Sequence, residues 1–218
     1  MTVQHHPTEA TLFAYAGGSL PEGLSLVVAS HLALCPKCRN SVDTLDAVGG
    51  SLLEDLPEEA IAGDALARTM ERLDASPAAV PMAAPVPDHL GLGLPEPLRS
   101  YVAGARSPKW RFIAPGIWHI EVMRRTPRGG TVQLLKIAPG LSVSPHSHGG
   151  HEFTLILRGA YDDELGRFGV GDMVEVDEET VHQPKADDDQ GCICLVATEA
   201  PTRFKSWIGR FLQPFVGL

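Results

Sequence analysis

Two short segments of this chain concentrate side chains that bind metal. The first, "SHLALCPKCRN" at 30–40, places His31, Cys35 and Cys38 in the order H-x3-C-x2-C. On a helix these positions fall at about 0°, 40° and −20° around the axis, so all three side chains would share one face and reach one ion. Cysteine sulfur and imidazole nitrogen suit zinc, which takes four such ligands in a closed tetrahedral structural site. A fourth donor must come from elsewhere, and His5 and His6 are the obvious donors. The second segment, "PHSHGGHEFTLILRG" at 145–159, carries His146, His148, His151 and Glu152. On a strand, His146 and His148 project from one face. Three imidazoles and a carboxylate would satisfy zinc, iron, manganese or nickel, and the ligand types alone do not choose among them.

Other chemistries fit the first segment less well. A thioredoxin-like Cys-x-x-Cys needs a βαβ setting, which the surrounding pattern lacks. Haem attachment needs C-x-x-C-H, and Arg39 follows Cys38. Buried core histidine and cysteine are common, but nothing would then require a shared face. The other two cysteines, Cys192 and Cys194, lie two apart on an expected strand and read as core residues facing the same side.

The elements that must position these residues divide the chain in two. Thr8 and Thr11 before "LFAYA" predict a short helix ending at Gly17–Gly18. Pro21 opens a second, whose Leu24, Val27, Val28 and Leu32 follow one face. A third starts near Pro36 and carries Val42, Leu45, Val48 and Leu52; a fourth, "AIAGDALARTMERLDA", carries Ile61, Leu66, Met70 and Leu73. Residues 77–97 hold six prolines, a density that excludes helix and central strand and marks a semi-rigid linker. From about 108 the chain turns to short apolar runs: "WRFIA", "IWHIEVM", "GTVQLLKI", "FTLILRG", "DMVEV" and "CICLVAT". Gly, Pro and Asp separate them, as in an all-β sandwich or barrel. The expectation is an α+β chain: a helical unit over 1–76, a linker over 77–97 and a β domain over 98–218.

Bulk properties narrow the function. With 218 residues, 44% hydrophobic and 21% charged, the chain has an ordinary globular composition. A net charge of −9 argues against a nucleic-acid-binding role, which needs a basic surface. The N-terminus "MTVQHHPTEATLF" lacks the basic start and apolar run of a signal peptide, and no run of about 18 apolar residues suggests a membrane span. A cytoplasmic location is expected, where close cysteine pairs serve metal or redox chemistry rather than a disulfide framework.

The β half resembles a cupin. Gly140, His146, His148, Glu152 and Gly159 reproduce the spacing G-x5-H-x-H-x3-E-x6-G, and "GDMVEVDEETVH" from Gly171 supplies a second motif ending in His182. Asp177 and Glu179 replace that motif's usual proline and glycine, a change expected to alter a turn and leave the ligand in place. His151 stands outside the pattern. The zinc-type H-x3-C-x2-C helical unit followed by a cupin is similar to the ChrR family of anti-sigma factors, along essentially the whole chain. The resemblance includes "HH" at 5–6, "SLVVASHLALCPKCR", "LDAVGGSL", "RFGVGDMVEV" and "CICLVAT". It implies a jelly-roll cupin and a small helical bundle whose zinc is held by His6, His31, Cys35 and Cys38. It implies a second zinc, or another divalent transition metal, at His146, His148, Glu152 and His182. It also implies a non-enzymatic role: the helical unit binds a group IV (extracytoplasmic-function) sigma factor, one to one, without direct contact to nucleic acid or membrane. The cupin would act as the sensor, releasing sigma under singlet oxygen or organic peroxide stress. The alternative class is a metal-dependent, dioxygenase-like cupin enzyme.

Overall fold

The computed structural model describes residues 2–75, 85–123, 130–201 and the backbone of 203–204. Four helices come first: α1 (Glu9–Ala16), α2 (Glu22–Leu34), α3 (Pro36–Glu54) and α4 (Ala65–Asp74). Thr8 caps α1, its hydroxyl accepting the Thr11 N–H at 3.2 Å, so one orphan amide of the first turn is satisfied. Proline in the first turn of α3 restricts the residue before it to extended backbone. Cys35 accordingly has φ −114° and ψ 101°, ending α2 and starting α3. His31, Cys35 and Cys38 therefore do not share one continuous helix, as the 100° spacing suggested. They converge across a helix junction instead.

Part of the proline-rich stretch forms structure. Asp88 accepts the N–H groups of Leu90, Gly93 and Leu94 and folds 88–94 into a compact loop. A helix that the periodicity did not predict, α5 (Glu96–Gly104), follows directly, with Pro97 in its first turn, where a missing N–H costs nothing. The remainder of the expected linker, 77–84, lies outside the described residues. The fourth helix is shorter than expected, and Ile61 precedes it.

Among the described residues the β half has ten strands: β1 (Arg111–Ala114), β2 (Ile117–Met123), β3 (Val132–Ile137), β4 (His146–Ser147), β5 (Glu152–Asp163), β6 (Gly166–Gly169), β7 (Met173–Val176), β8 (Lys185–Ala186), β9 (Cys192–Thr198) and β10 (Arg203–Phe204). Eight of them join in one antiparallel network with the path β1-β2-β3-β9-β5-β6, and β7 and β8 both pair with β5. Every apolar run named above falls on a strand. Side chains alternate along each strand, so β5 and β9 face two cores. Ile156, Tyr161, Cys192, Cys194 and Val196 point into an inner cluster with Phe168, Val174 and Val176. Phe153, Leu155, Leu157, Leu195 and Ala197 point the other way, into a cluster shared with α2 and α5.

That shared cluster joins the two halves. Leu24, Val27 and Val28 of α2 are buried there with Leu94, Leu98 and Val102 and with the sheet's outer face. Each such side chain contributes about 1.5–3 kcal/mol through removal from water. Close approach is set at Gly23, where a Cβ would lie 2.7 Å from Val132 Cγ2. Among the described residues no helix is long and apolar enough to cross a membrane.

Candidate metal centres

The structure gathers the predicted residues into two tetrads: His6, His31, Cys35 and Cys38, and His146, His148, Glu152 and His182. In each, the candidate ligand atoms all lie within 4.8 Å of one another.

The first tetrad draws on three elements. His6 comes from the extended segment before α1, His31 from the last turns of α2, Cys35 from the junction and Cys38 from the first turn of α3. His31 Nε2 lies 3.3 Å from Cys38 Sγ, and His6 Nδ1 lies 3.4 Å from Cys35 Sγ and 3.3 Å from Cys38 Sγ. A zinc ion with ordinary bond lengths gives nitrogen–sulfur edges of roughly 3.6 Å, so the donors stand close to tetrahedral spacing. His31 is fully buried, and its Nδ1 pairs with the Gly171 carbonyl oxygen at 2.9 Å, which turns Nε2 toward the sulfurs. His5 is absent from the tetrad. Its ring packs on Phe168 with 4.5 Å between centroids, and its Nδ1 meets Asp172 Oδ2 at 3.2 Å.

Burial sets the protonation of these groups. It lowers His31 to about 4 and lowers His6, with Lys37 adding to the effect on His6. Burial and the neighbouring Cys35 thiol push Cys38 up to about 12. A cation is therefore taken up with loss of the Cys38 proton, while the imidazoles are already neutral.

The second tetrad sits inside the strand network. His146 and His182 form a two-residue bridge, exchanging backbone N–H···O bonds of 3.2 Å in both directions. His146 Nδ1 pairs with the Ser144 carbonyl at 2.8 Å, and His182 Nδ1 with Asp163 Oδ2 at 3.0 Å. Both rings thus present Nε2 to the centre, the arrangement by which outer partners fix a metal-binding imidazole. His148 Nε2 stands 3.2 Å from His182 Nε2. Its buried Nδ1 makes no well-aligned hydrogen bond, although Glu152 Oε2 is 3.2 Å away. Four buried donors, with the His146 and His182 tautomers set by their outer partners, fit a divalent metal ion.

Burial again dominates the charges. It lowers His146 to about 4 and His148 to about 3, and raises Glu152 to about 7 against the opposing pull of His182 and the Thr154 hydroxyl. His182 behaves differently: burial works against its charge, but Asp163 and the nearby Glu152 outweigh it, so its pKa is raised. A cavity of about 70 Å³, lined by His146, Glu152, His182, Gln133, Tyr161 and Cys194 among others, adjoins the tetrad. It is far smaller than the 300–1,000 Å³ typical of drug-sized ligand sites.

His151 is exposed and lies outside the tetrad. Asp177 accepts the N–H groups of Glu179 and Thr180 and the Thr180 hydroxyl, forming the turn that returns the chain to His182 without proline or glycine. Cys192 and Cys194 are buried in the inner core. Sequence reasoning missed Asp163, which orients His182, and the Gly171–Asp172 turn. Asp163 lies at the far end of β5 from Glu152, so no local spacing links it to the tetrad.

Residues 99–201 match the family model described as the ChrR cupin-like domain. The chain is 43% identical over 222 residues to the anti-sigma-E factor ChrR of Cereibacter sphaeroides, covering 99% of each. The chain belongs to the ChrR family. A solved structure of Rhodobacter sphaeroides SigE in complex with the anti-sigma ChrR superposes with a TM-score of 0.74 at 38% identity, covering 91% of this chain and 100% of that one. The ChrR-family likeness thus extends over both tetrads and over the packed junction between the halves.

Proposed function

We propose that this chain is a cytoplasmic anti-sigma factor that binds a group IV (extracytoplasmic-function) sigma factor one to one. The observation that carries the reading is identity at 43% across the full length of a relative named anti-sigma-E factor, whose solved complex with SigE this chain also resembles in fold. The role is regulatory rather than enzymatic. Within it, residues 1–76 are the sigma-binding unit and 98–218 the cupin, joined by 77–97.

The surface of the helical unit supports this assignment. Leu66, Met70 and Leu73 of α4 are 73%, 51% and 62% exposed, and Val48 and Leu52 on the outer half of α3 are 55% and 65% exposed. Clustered apolar side chains on amphipathic helices suit a protein partner. His6, His31, Cys35 and Cys38 would hold zinc, which when bound ties the N-terminal segment to the α2–α3 junction. His146, His148, Glu152 and His182 would hold zinc or another divalent metal in the cupin. The cupin is the sensor of singlet oxygen or organic peroxide, and its altered state releases sigma.

Co-expression of the full chain with the extracytoplasmic-function sigma factors of its host, followed by size-exclusion chromatography, tests the reading. A 1:1 complex that blocks transcription by that sigma factor is expected. Elution of the chain alone beside every one of them would overturn it.

A further inference from the structure

The N-terminal tetrad does not stand alone within its own half. Its outer partners come from the cupin, at the turn between β6 and β7. His31 Nδ1 pairs with the Gly171 carbonyl at 2.9 Å. The next residue, Asp172, is buried and accepts the Gln4 N–H at 2.7 Å and the His5 N–H at 3.0 Å, and meets the His5 ring at 3.2 Å. Met173 N–H donates to the His5 carbonyl at 3.1 Å. His5 is therefore held by both its backbone groups and its ring, immediately before His6.

Two further contacts fix the same segment. Glu175 on β7 accepts the Thr8 N–H and the hydroxyls of Thr8 and Thr11 at 3.0–3.1 Å, so the far side of His6 is anchored as well. Gly171 has φ +90°, and a Cβ there would stand 2.8 Å from Val3 Cγ2, so the turn fits only as glycine against this segment. Asp172 is itself braced by the Gly169 N–H at 2.9 Å.

We infer that the Gly171–Asp172 turn and Glu175 are positioning residues for the N-terminal metal tetrad, the turn orienting His31 and the whole segment presenting His6. The inference rests on the reading of that tetrad as a metal site and is independent of the sigma factor assignment. Outer partners of metal-binding histidines typically change metal affinity 10- to 100-fold when lost. His6 is here presented by a backbone held at Asp172, so removing the carboxylate acts on a ligand as well as on stability.

Cobalt(II) titration of the full chain tests this, because thiolate ligation gives a charge-transfer absorption that only the cysteine-containing tetrad produces. Asp172→Ala should weaken cobalt binding in that band by 10- to 100-fold, and Asp172→Asn, whose single acceptor oxygen can keep the Gln4 and His5 N–H bonds but not the Gly169 one, should recover part of it. Glu175→Ala, on the half-exposed face of β7, should weaken it in the same direction while the cupin tetrad binds as before. A folded Asp172→Ala chain with unchanged affinity, or one in which only the unfolding midpoint falls, would overturn the inference. Absence of the thiolate band in the unaltered chain would instead remove the metal reading, and the inference with it.

Discussion

Lowering the pH from 7.5 to 5.5 should weaken metal binding at the cupin tetrad by at least about 25-fold. A metal ion needs the Glu152 carboxylate ionised, and burial has raised that group to about 7. Roughly three-quarters of it is ionised at pH 7.5 and about 3% at pH 5.5, which gives the ratio. The sign is fixed: affinity is present above the raised pKa and falls about tenfold for each pH unit below it. His182, raised by Asp163 against the effect of burial, must also lose a proton, so the true loss is larger. His146 and His148, held at about 4 and 3, are neutral throughout and add nothing. Calorimetric zinc titration in two buffers of different ionisation enthalpy measures both the affinity and the protons displaced. A Cys35→Ser, Cys38→Ser background keeps the other tetrad from contributing thiolate chemistry. Displacement of about two protons at pH 5.5 is expected, from Glu152 and His182. An affinity unchanged across this range, with no proton displaced at pH 5.5, would refute the assignment of a buried, protonated carboxylate to the tetrad.

Further perturbations address the rest of the molecule. Cys35→Ser with Cys38→Ser should abolish both thiolate–cobalt absorption and sigma capture in a pull-down; full capture would count against zinc as the organiser of the helical unit. Leu66→Asp with Leu73→Asp on α4 should weaken the sigma complex, read by titration calorimetry, while shifting unfolding by no more than about 0.5 kcal/mol per site, as expected for exposed positions. Gly23→Ala should destabilise the chain by about 1–3 kcal/mol in denaturant unfolding, because its Cβ would meet Val132, and Val132→Ala in the same chain should restore part of that loss.

Much of this architecture can be read from local signals. Thr8, Pro21 and Pro36 announce the starts of the first three helices because capping and proline geometry act within a few residues. The strands are legible because apolar runs between turn residues have few alternatives. α5 was hidden because two prolines precede or open it and only Leu98 and Val102 mark its buried face. The nearly continuous apolar stretch at 153–157, broken only by Thr154, and the continuous one at 192–197 imply strands covered on both sides, but nothing in them names α2 as the cover. The tetrads were legible because metal geometry demands fixed spacings within a segment. His6 could be separated from His5 only by family resemblance, since the clamp on His5 comes from Asp172, 167 positions away.

The break at Cys35 has a mechanical meaning. α3 is 19 residues long, a rod of about 28 Å fixed at one end by the same residue that belongs to the first tetrad. A rotation of about 10° at that pivot would sweep the far tip through about 5 Å, the rise of one helical turn. A small rearrangement around a sulfur atom, if α3 followed it as a rod, would displace by about a side chain's length the end where Val48 and Leu52 face solvent.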